Sequence, residues 1–102
     1  MLVVLSTVPS ITEGEDLAQK IVGLRLAACV QILPKMTSVY FWEGKVQRDD
    51  EHLMLIKTIP EKFGELEKII RENHSYDVPE IVAVESSNDS SKYREWLESY
   101  LR

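Results

Sequence analysis

SVYFWEGKVQRDDEHLMLI, residues 38–56, contains two β-favouring runs on either side of a Glu43-Gly44 turn. The second run, Leu53–Ile56, follows a charged segment over Lys45–His52. A glycine-containing turn between two such runs is typical of a β-hairpin. This stretch therefore predicts two antiparallel strands joined through a polar tip.

The first strand of this hairpin extends toward the N-terminus past a proline. Cys29–Leu33 favours the strand conformation as Ser38–Trp42 does, but Pro34 between them has no N–H to donate to a sheet. We therefore predict one long strand that is kinked or bulged at Pro34.

The chain before this strand predicts a buried strand followed by a helix. Leu2–Leu5 is continuously apolar, which is typical of a strand covered on both faces, and Pro9 closes the run. Thr12 and Glu15 have the spacing of a capping box at the start of a helix. Apolar side chains then recur at helical intervals, at Leu17, Ile21, Leu24 and Ala28.

The chain after the hairpin predicts a second helix, a fourth strand and a terminal helix. Pro60 suits the first turn of a helix that ends near Asn73. The buried stripe of this helix is Phe63, Leu66, Ile69 and Ile70. Val78–Val84 is the fourth β-favouring run. Beyond a polar loop, helical spacing recurs at Tyr93, Trp96, Leu97, Tyr100 and Leu101.

The element order β-α-β-β-α-β is that of a split βαβ sandwich of the α+β class, here with an added C-terminal helix. Right-handed crossovers place the first two helices on one face of an antiparallel sheet. The strands carry consecutive apolar residues, so both sheet faces are apolar, as in Val39–Trp42, Leu53–Ile56 and Ile81–Val84. Because monomers rarely expose large apolar patches, we predict self-association. The alternative is that the terminal helix and long side chains cover the second face.

Composition limits the class of protein. The length of 102 residues suits a single domain, residues 1–102. A formal net charge of -5 without any run of Lys or Arg argues against nucleic acid as a partner. The single cysteine, Cys29, favours a reducing compartment, and no apolar segment approaches the roughly 18 residues of a membrane span. The N-terminal run lacks the features of a signal peptide, so we expect a cytoplasmic protein that does not cross a membrane.

Five segments together resemble the motifs of the CutA (divalent-cation tolerance) family. They are VVLSTV (3–8), RLAACVQILP (25–34), SVYFWEGKV (38–46), LIKT (55–58) and HSYDVPEI (74–81), in the family's order and spacing. The resemblance implies a ferredoxin-like homotrimer whose strands continue between subunits, similar in architecture to the PII signalling proteins. It also implies a role in the tolerance of, or response to, copper and other divalent ions.

The metal ligands that this resemblance would supply are only partly present. They are a cysteine on the first strand and two adjacent histidines, and this chain has Ser6, Asn73 and His74 at those positions. Imidazole and thiolate are preferred donors to copper and zinc, so His74 is the best metal candidate and Cys29 a weaker one. The structural alternatives are that His74 caps the second helix and that Cys29 is a buried filler. We expect copper or another divalent cation to bind weakly at most.

The second histidine, His52, lies beside Asp49, Asp50 and Glu51 in the predicted hairpin tip. Such carboxylates can hold a hard cation loosely. Charged tips of this kind are more often solvated loops, and we expect one here.

A small-molecule cleft between subunits is a further possibility. Tyr40, Trp42, Lys57, Tyr76 and Glu80 fall in the shared segments and combine aromatic faces with one cation and one anion, as a ligand pocket does. The structural alternative places Trp42 in a subunit interface and pairs Lys57 with Glu80.

No enzyme motif is present: the chain has no Gly-rich phosphate loop, no HExxH and no GxSxG. We therefore expect a protein without catalytic activity. The sequence favours a trimeric metal-tolerance protein, and the alternative is a PII-like sensor of a small molecule.

Overall fold

The computed structural model describes residues 1–102 and contains five strands and three α-helices. In chain order they are β1 Leu2–Val8, α1 Ile11–Gly23, β2 Cys29–Ile32, β3 Met36–Trp42, β4 Lys45–Thr58, α2 Phe63–Asn73, β5 Val82–Glu85 and α3 Ser91–Leu101. β1 pairs with β4 and β5, and β2 and β3 both pair with β4, always antiparallel. The predicted α+β class and the order β-α-β-β-α-β are confirmed, with β2 and β3 together forming the second strand.

The segment predicted as a polar hairpin tip, Lys45–His52, belongs to the 14-residue strand β4, so this prediction was wrong. Residues 45–51 pair with the whole length of β3. The turn consists of only Glu43 and Gly44, both with positive φ (51° and 80°), as a type I′ hairpin requires. Charged residues are tolerated here because this half of β4 has β3 as its only neighbouring strand and most of its side chains face solvent.

A bulge lies at Pro34, where the sequence predicts a kink. β2 and β3 are separate strands, and the three residues Leu33–Lys35 between them face only His52 and Leu53. The backbone N–H of Leu33 donates to Leu53 O at 2.9 Å, and Nδ1 of His52 lies 2.9 Å from Leu33 O. These contacts hold the extra residue in place, and a bulge of this kind bends the strand that carries it.

Helix α1 begins and ends at different residues from those predicted. Its N-cap is Ser10, whose Oγ accepts a hydrogen bond from the Glu13 backbone N–H at 3.2 Å, so the capping box predicted at Thr12 is wrong. The helix ends at Gly23 because Arg25 adopts a positive φ of 58° and Leu26 N–H closes back onto Ile21 O. The predicted stripe positions Leu24 and Ala28 therefore lie outside the helix.

The second half of the chain follows the prediction more closely. Pro60 opens a 3₁₀ turn directly before α2, and α2 ends at Asn73 as predicted. The fourth predicted strand, Val78–Val84, is shorter than expected, because β5 pairs with β1 only from Val82 onward. Pro79 in the excluded part has no N–H for a sheet.

The core lies between the sheet and the helices α1 and α2. One cluster of buried side chains joins β1 and β4 to both helices: Val4, Val8, Met54, Ile56, Leu17, Ile21, Leu66 and Ile70. Helix α3 packs apart from this cluster, with Leu97 and Leu101 against Ile59. None of the helices has the length and apolar character needed to span a membrane.

Large apolar side chains outside the core remain exposed in the single chain. Val39 and Phe41 on β3 are 66% and 70% exposed, and Trp42 is 46% exposed. Val46, Val78, Val82 and Val84 are exposed as well. The terminal helix does not cover these residues.

Candidate functional site

A cavity of about 480 Å³ lies between the β3–β4 hairpin and the segment that joins α2 to β5. The hairpin and β1 contribute Ser38, Val39, Tyr40, Trp42, Glu51 and Thr7 to its wall. The joining segment contributes Tyr76, Asp77, Val78 and Glu80. The cavity thus brings residues of the hairpin together with residues that are distant in the sequence.

Tyr76 and Glu51 form a hydrogen-bonded polar pair in the wall of this cavity. The Tyr76 hydroxyl donates a hydrogen bond of 2.8 Å to Oε2 of Glu51, whose residue is 7% exposed. Burial of the phenol, followed by this hydrogen bond and the nearby carboxylate charge, raises the pKa of Tyr76 far above its usual value. The phenol therefore remains a hydrogen-bond donor throughout the physiological pH range.

A similar pair lies closer to solvent. The Tyr40 hydroxyl donates to a carboxylate oxygen of Asp49 on the neighbouring strand. This hydrogen bond raises the pKa of Tyr40, because the phenolate form would lose it. Two phenol rings are thus held by carboxylates of β4, and Trp42 lies in the same wall.

His74 holds Tyr76 in place without itself lining the cavity. Its side chain is fully buried, its Nδ1 accepts a hydrogen bond from the Tyr76 backbone N–H at 3.0 Å, and its Nε2 lies 2.7 Å from Thr7 O. A backbone N–H can only donate, so Nδ1 is the acceptor and the ring proton is on Nε2. The imidazole also packs against the Tyr76 ring, with centroids 4.7 Å apart. His74 therefore links β1 to the cavity wall.

Glu13 of α1 holds the same segment at a second point. Its Oε2 accepts hydrogen bonds from Ser75 N at 3.2 Å and Ser75 Oγ at 3.0 Å. The same oxygen lies 3.6 Å from Nδ1 of His74. The chain after α2 is therefore anchored to α1 and β1 before it enters the cavity.

The structure brings together four of the five residues predicted for a cleft. Tyr40, Trp42, Tyr76 and Glu80 line the same cavity. Lys57 does not, because its Nζ lies 5.5 Å from the centroid of the Tyr93 ring on α3. The alternative ion pair between Lys57 and Glu80 is not formed within the chain.

The predicted metal candidates lie apart from one another. Cys29 is partly buried on β2, opposite Lys57, and His52 holds the bulge at Leu33. His74 is engaged by the two backbone groups described above. No group of three or more His, Cys, Asp or Glu side chains within the chain has an arrangement that could hold a metal ion. Ligation by His74 or Cys29 stays a prediction.

The two positions at which the resemblance would supply further metal ligands have other contacts. Ser6 is fully buried in β1, and its Oγ has no hydrogen-bond partner. Asn73 accepts from Lys20 Nζ at 2.9 Å and donates to Ile69 O at 2.8 Å.

Sequence reasoning missed six of the ten residues that line the cavity: Thr7, Ser38, Val39, Glu51, Asp77 and Val78. Glu51 follows Asp49 and Asp50, and no periodicity distinguishes the buried carboxylate from its exposed neighbours. Treating residues 45–52 as a strand would have placed Glu51 opposite Met36, at the end of the hairpin nearest the sheet.

Comparison with known proteins gives one consistent family. The model of the CutA1 divalent ion tolerance protein family matches residues 2–100. The chloroplastic protein CutA of Arabidopsis thaliana is 48% identical over 99% of this chain, and the chain spans only 56% of that relative. The divalent-cation tolerance protein CutA of Thermus thermophilus is 44% identical over 93% of this chain and 92% of its own length.

Solved structures share the whole fold. CutA1 from Oryza sativa superposes with a TM-score of 0.95 at 46% identity, covering 99% of this chain and 93% of the other. The Thermus thermophilus protein has a TM-score of 0.92 at 44% identity over 95% of both chains. The Archaeoglobus fulgidus protein, described as a periplasmic divalent cation tolerance protein CutA, has a TM-score of 0.95 at 32% identity over 100% of both chains.

Proposed function

This chain belongs to the CutA1 divalent ion tolerance family, and we propose that it acts in the tolerance of divalent metal ions, copper among them, as a homotrimer that recognises a small ligand. The observation that carries this proposal is the cavity around Tyr76 and Glu51. Its volume is within the range of about 300–1,000 Å³ typical of small-molecule sites. In this proposal the protein signals rather than catalyses.

Exposed apolar residues support the assembly. Val39, Phe41 and Trp42 on β3 and Val46 on β4 have no cover within the chain. An isolated two-stranded hairpin is at best marginally stable in water. Because residues 45–51 of β4 pair only with β3, we expect a partner subunit to cover this hairpin. The choice of a trimer over other assemblies follows from the family resemblance. A ligand in the cavity would then lie near a subunit boundary, as in a PII-like sensor.

Direct binding of copper or another divalent cation is the second candidate. One observation favours it: Nδ1 of His74 lies 3.6 Å from Oε2 of Glu13, which provides a nitrogen and an oxygen donor at one place. A cation there would displace the Tyr76 N–H from Nδ1, so we expect weak binding. Cys29 would be a further donor only after a rearrangement, because it lies on β2.

A thermal-shift screen separates the two candidates. We expect small organic ligands to raise the melting temperature and Cu²⁺, Zn²⁺ and Mn²⁺ to leave it nearly unchanged, since a ligand that binds only the folded state stabilises it. Glu51→Gln, at the buried carboxylate of the cavity wall, should weaken the ligand effect. Stabilisation by metals alone, lost in His74→Ala, would instead support direct metal binding and contradict the sensor.

We further propose a cytoplasmic location. Its support is the single cysteine, which is free in the fold. Relatives differ in this respect, since the Archaeoglobus fulgidus protein is described as periplasmic and the Arabidopsis thaliana protein as chloroplastic. Fractionation of the native host would decide it.

A further inference from the structure

The cavity wall carries charge of one sign. Glu51, Asp77 and Glu80 supply carboxylates, and the wall formed by the single chain contains no lysine, arginine or histidine. Clefts lined by one sign of charge concentrate ligands of the opposite sign and repel those of the same sign. A nucleotide, a phosphate or a carboxylic acid is therefore disfavoured, and a cation is favoured.

The same wall carries three aromatic rings. Tyr40, Trp42 and Tyr76 line the cavity together with the methyl groups of Val39 and Val78. Aromatic faces attract ammonium groups through their quadrupoles, most strongly where water is excluded. They also pack against apolar carbon, which a bare metal ion does not offer. An organic cation suits both properties.

Glu51 specifies the head group more closely. The residue is 7% exposed, and its Oε2 is taken by the Tyr76 hydroxyl. Its other oxygen, Oε1, accepts no hydrogen bond within the chain. That oxygen is not fully buried, so it can accept from a bound ligand, and charge-assisted N–H donors are the strongest available. An ammonium group with at least one N–H could donate to it, whereas a fully methylated one could not.

We propose that the cavity binds an organic ammonium ion that carries at least one N–H and an apolar or aromatic body, its N–H donating to Oε1 of Glu51 and its body lying against Tyr40, Trp42 and Tyr76. This inference rests on the proposed function in one respect, that the ligand occupies this cavity. It adds the chemical class of the ligand, which excludes the anionic ligands of nucleotide sensors.

Isothermal titration calorimetry with three matched probes tests the class. 2-Phenylethylammonium carries the proposed head group, 2-phenylethanol replaces it with a neutral hydroxyl, and 3-phenylpropionate replaces it with an anion. We expect the ammonium to bind at least about tenfold more tightly than the alcohol, because a charge-assisted hydrogen bond replaces a neutral one. The carboxylate should not bind measurably.

Two variants test the role of Glu51. Glu51→Gln keeps an oxygen that can accept from Tyr76 but removes the charge, and we expect a loss of about tenfold or more in affinity for the ammonium probe. Glu43→Gln removes one charge at the exposed hairpin turn, outside the cavity wall, and should leave the affinity unchanged. Equal losses in both variants would indicate a general charge effect and contradict the assigned contact.

The outcomes separate this inference from the proposed function. Equal binding of the alcohol, or preferential binding of the carboxylate or of ATP, would overturn the ammonium class while leaving a ligand cavity. Absence of binding by every probe, with a melting temperature that no small molecule raises, would overturn both.

Discussion

The Tyr76 hydroxyl donates a 2.8 Å hydrogen bond to Oε2 of Glu51, which joins the segment after α2 to the middle of β4. The contact spans 25 residues of sequence and lies at the inner wall of the cavity. It therefore affects both the stability of the fold and the shape of the proposed ligand site.

Tyr76→Phe should lower the free energy of unfolding by about 1–3 kcal/mol, because a buried carboxylate loses its donor. Urea unfolding at fixed protein concentration measures this. Tyr40→Phe is the matched control: it removes a phenol–carboxylate contact at the exposed surface, and we expect a clearly smaller change. Equal losses in the two variants would contradict the special role of the buried pair.

Alkaline pH should destabilise the protein through Tyr76. Its pKa is raised in the folded state, so the folded protein holds the phenolic proton after the unfolded chain has released it. The resulting stability is fully present below the unfolded pKa of about 10 and is lost as the pH rises toward the folded pKa. Between about pH 9 and pH 12, the free energy of unfolding should decrease more steeply with pH for the native chain than for Tyr76→Phe. Parallel slopes would show that Tyr76 ionises as freely in the fold as in the unfolded chain.

Trp42→Ala should weaken the proposed trimer by about 2–4 kcal/mol, because a ring that is 46% exposed in the single chain would be covered by a partner subunit. In a dilution series followed by light scattering, the variant should begin to dissociate at a higher protein concentration than the native chain does. Trp96→Ala removes the same ring from α3, where it is 50% exposed, and should leave the mass unchanged. A native chain that scatters as a folded monomer would contradict the assembly itself.

Copper should bind weakly to the native chain. His74 has both ring nitrogens engaged by backbone groups, and Ser6 and Asn73 replace the thiolate and second imidazole that the resemblance would supply. In competition with a calibrated Cu(I) chelator, the native chain should take up little copper. His74→Ala should remove most of this uptake. The double variant Ser6→Cys with Asn73→His should increase it. Tight binding lost in Cys29→Ser would make Cys29 a ligand and contradict its role as a packing residue.

The backbone frame was predictable where local chemistry decides it. Pro34 predicted the bulge, Pro60 the start of the second helical segment and Glu43-Gly44 the turn. The charged half of β4 was not predictable from polarity, because its strand conformation comes from pairing with β3 rather than from its own residues.

The candidate site was predictable only in part. Tyr40, Trp42, Tyr76 and Glu80 line one cavity of the single chain, whereas the predicted cleft lay between subunits, and Lys57 lies against Tyr93 on the terminal helix. Glu51 was missed because residues 45–52 were interpreted as a polar hairpin tip rather than as part of a strand. The proposed cationic class of the ligand rests on the carboxylate of Glu51.

The central claim is that the cavity at Glu51 and Tyr76 binds an organic ammonium ion, and backbone chemical-shift mapping tests it most directly. A ¹⁵N-labelled sample of the full chain would be titrated with 2-phenylethylammonium. We predict that the largest shifts occur at the amides of Glu51 and Tyr76 and at the indole N–H of Trp42, saturating together. Saturable shifts confined to other surfaces, or no shifts at probe concentrations in the millimolar range, would contradict the claim.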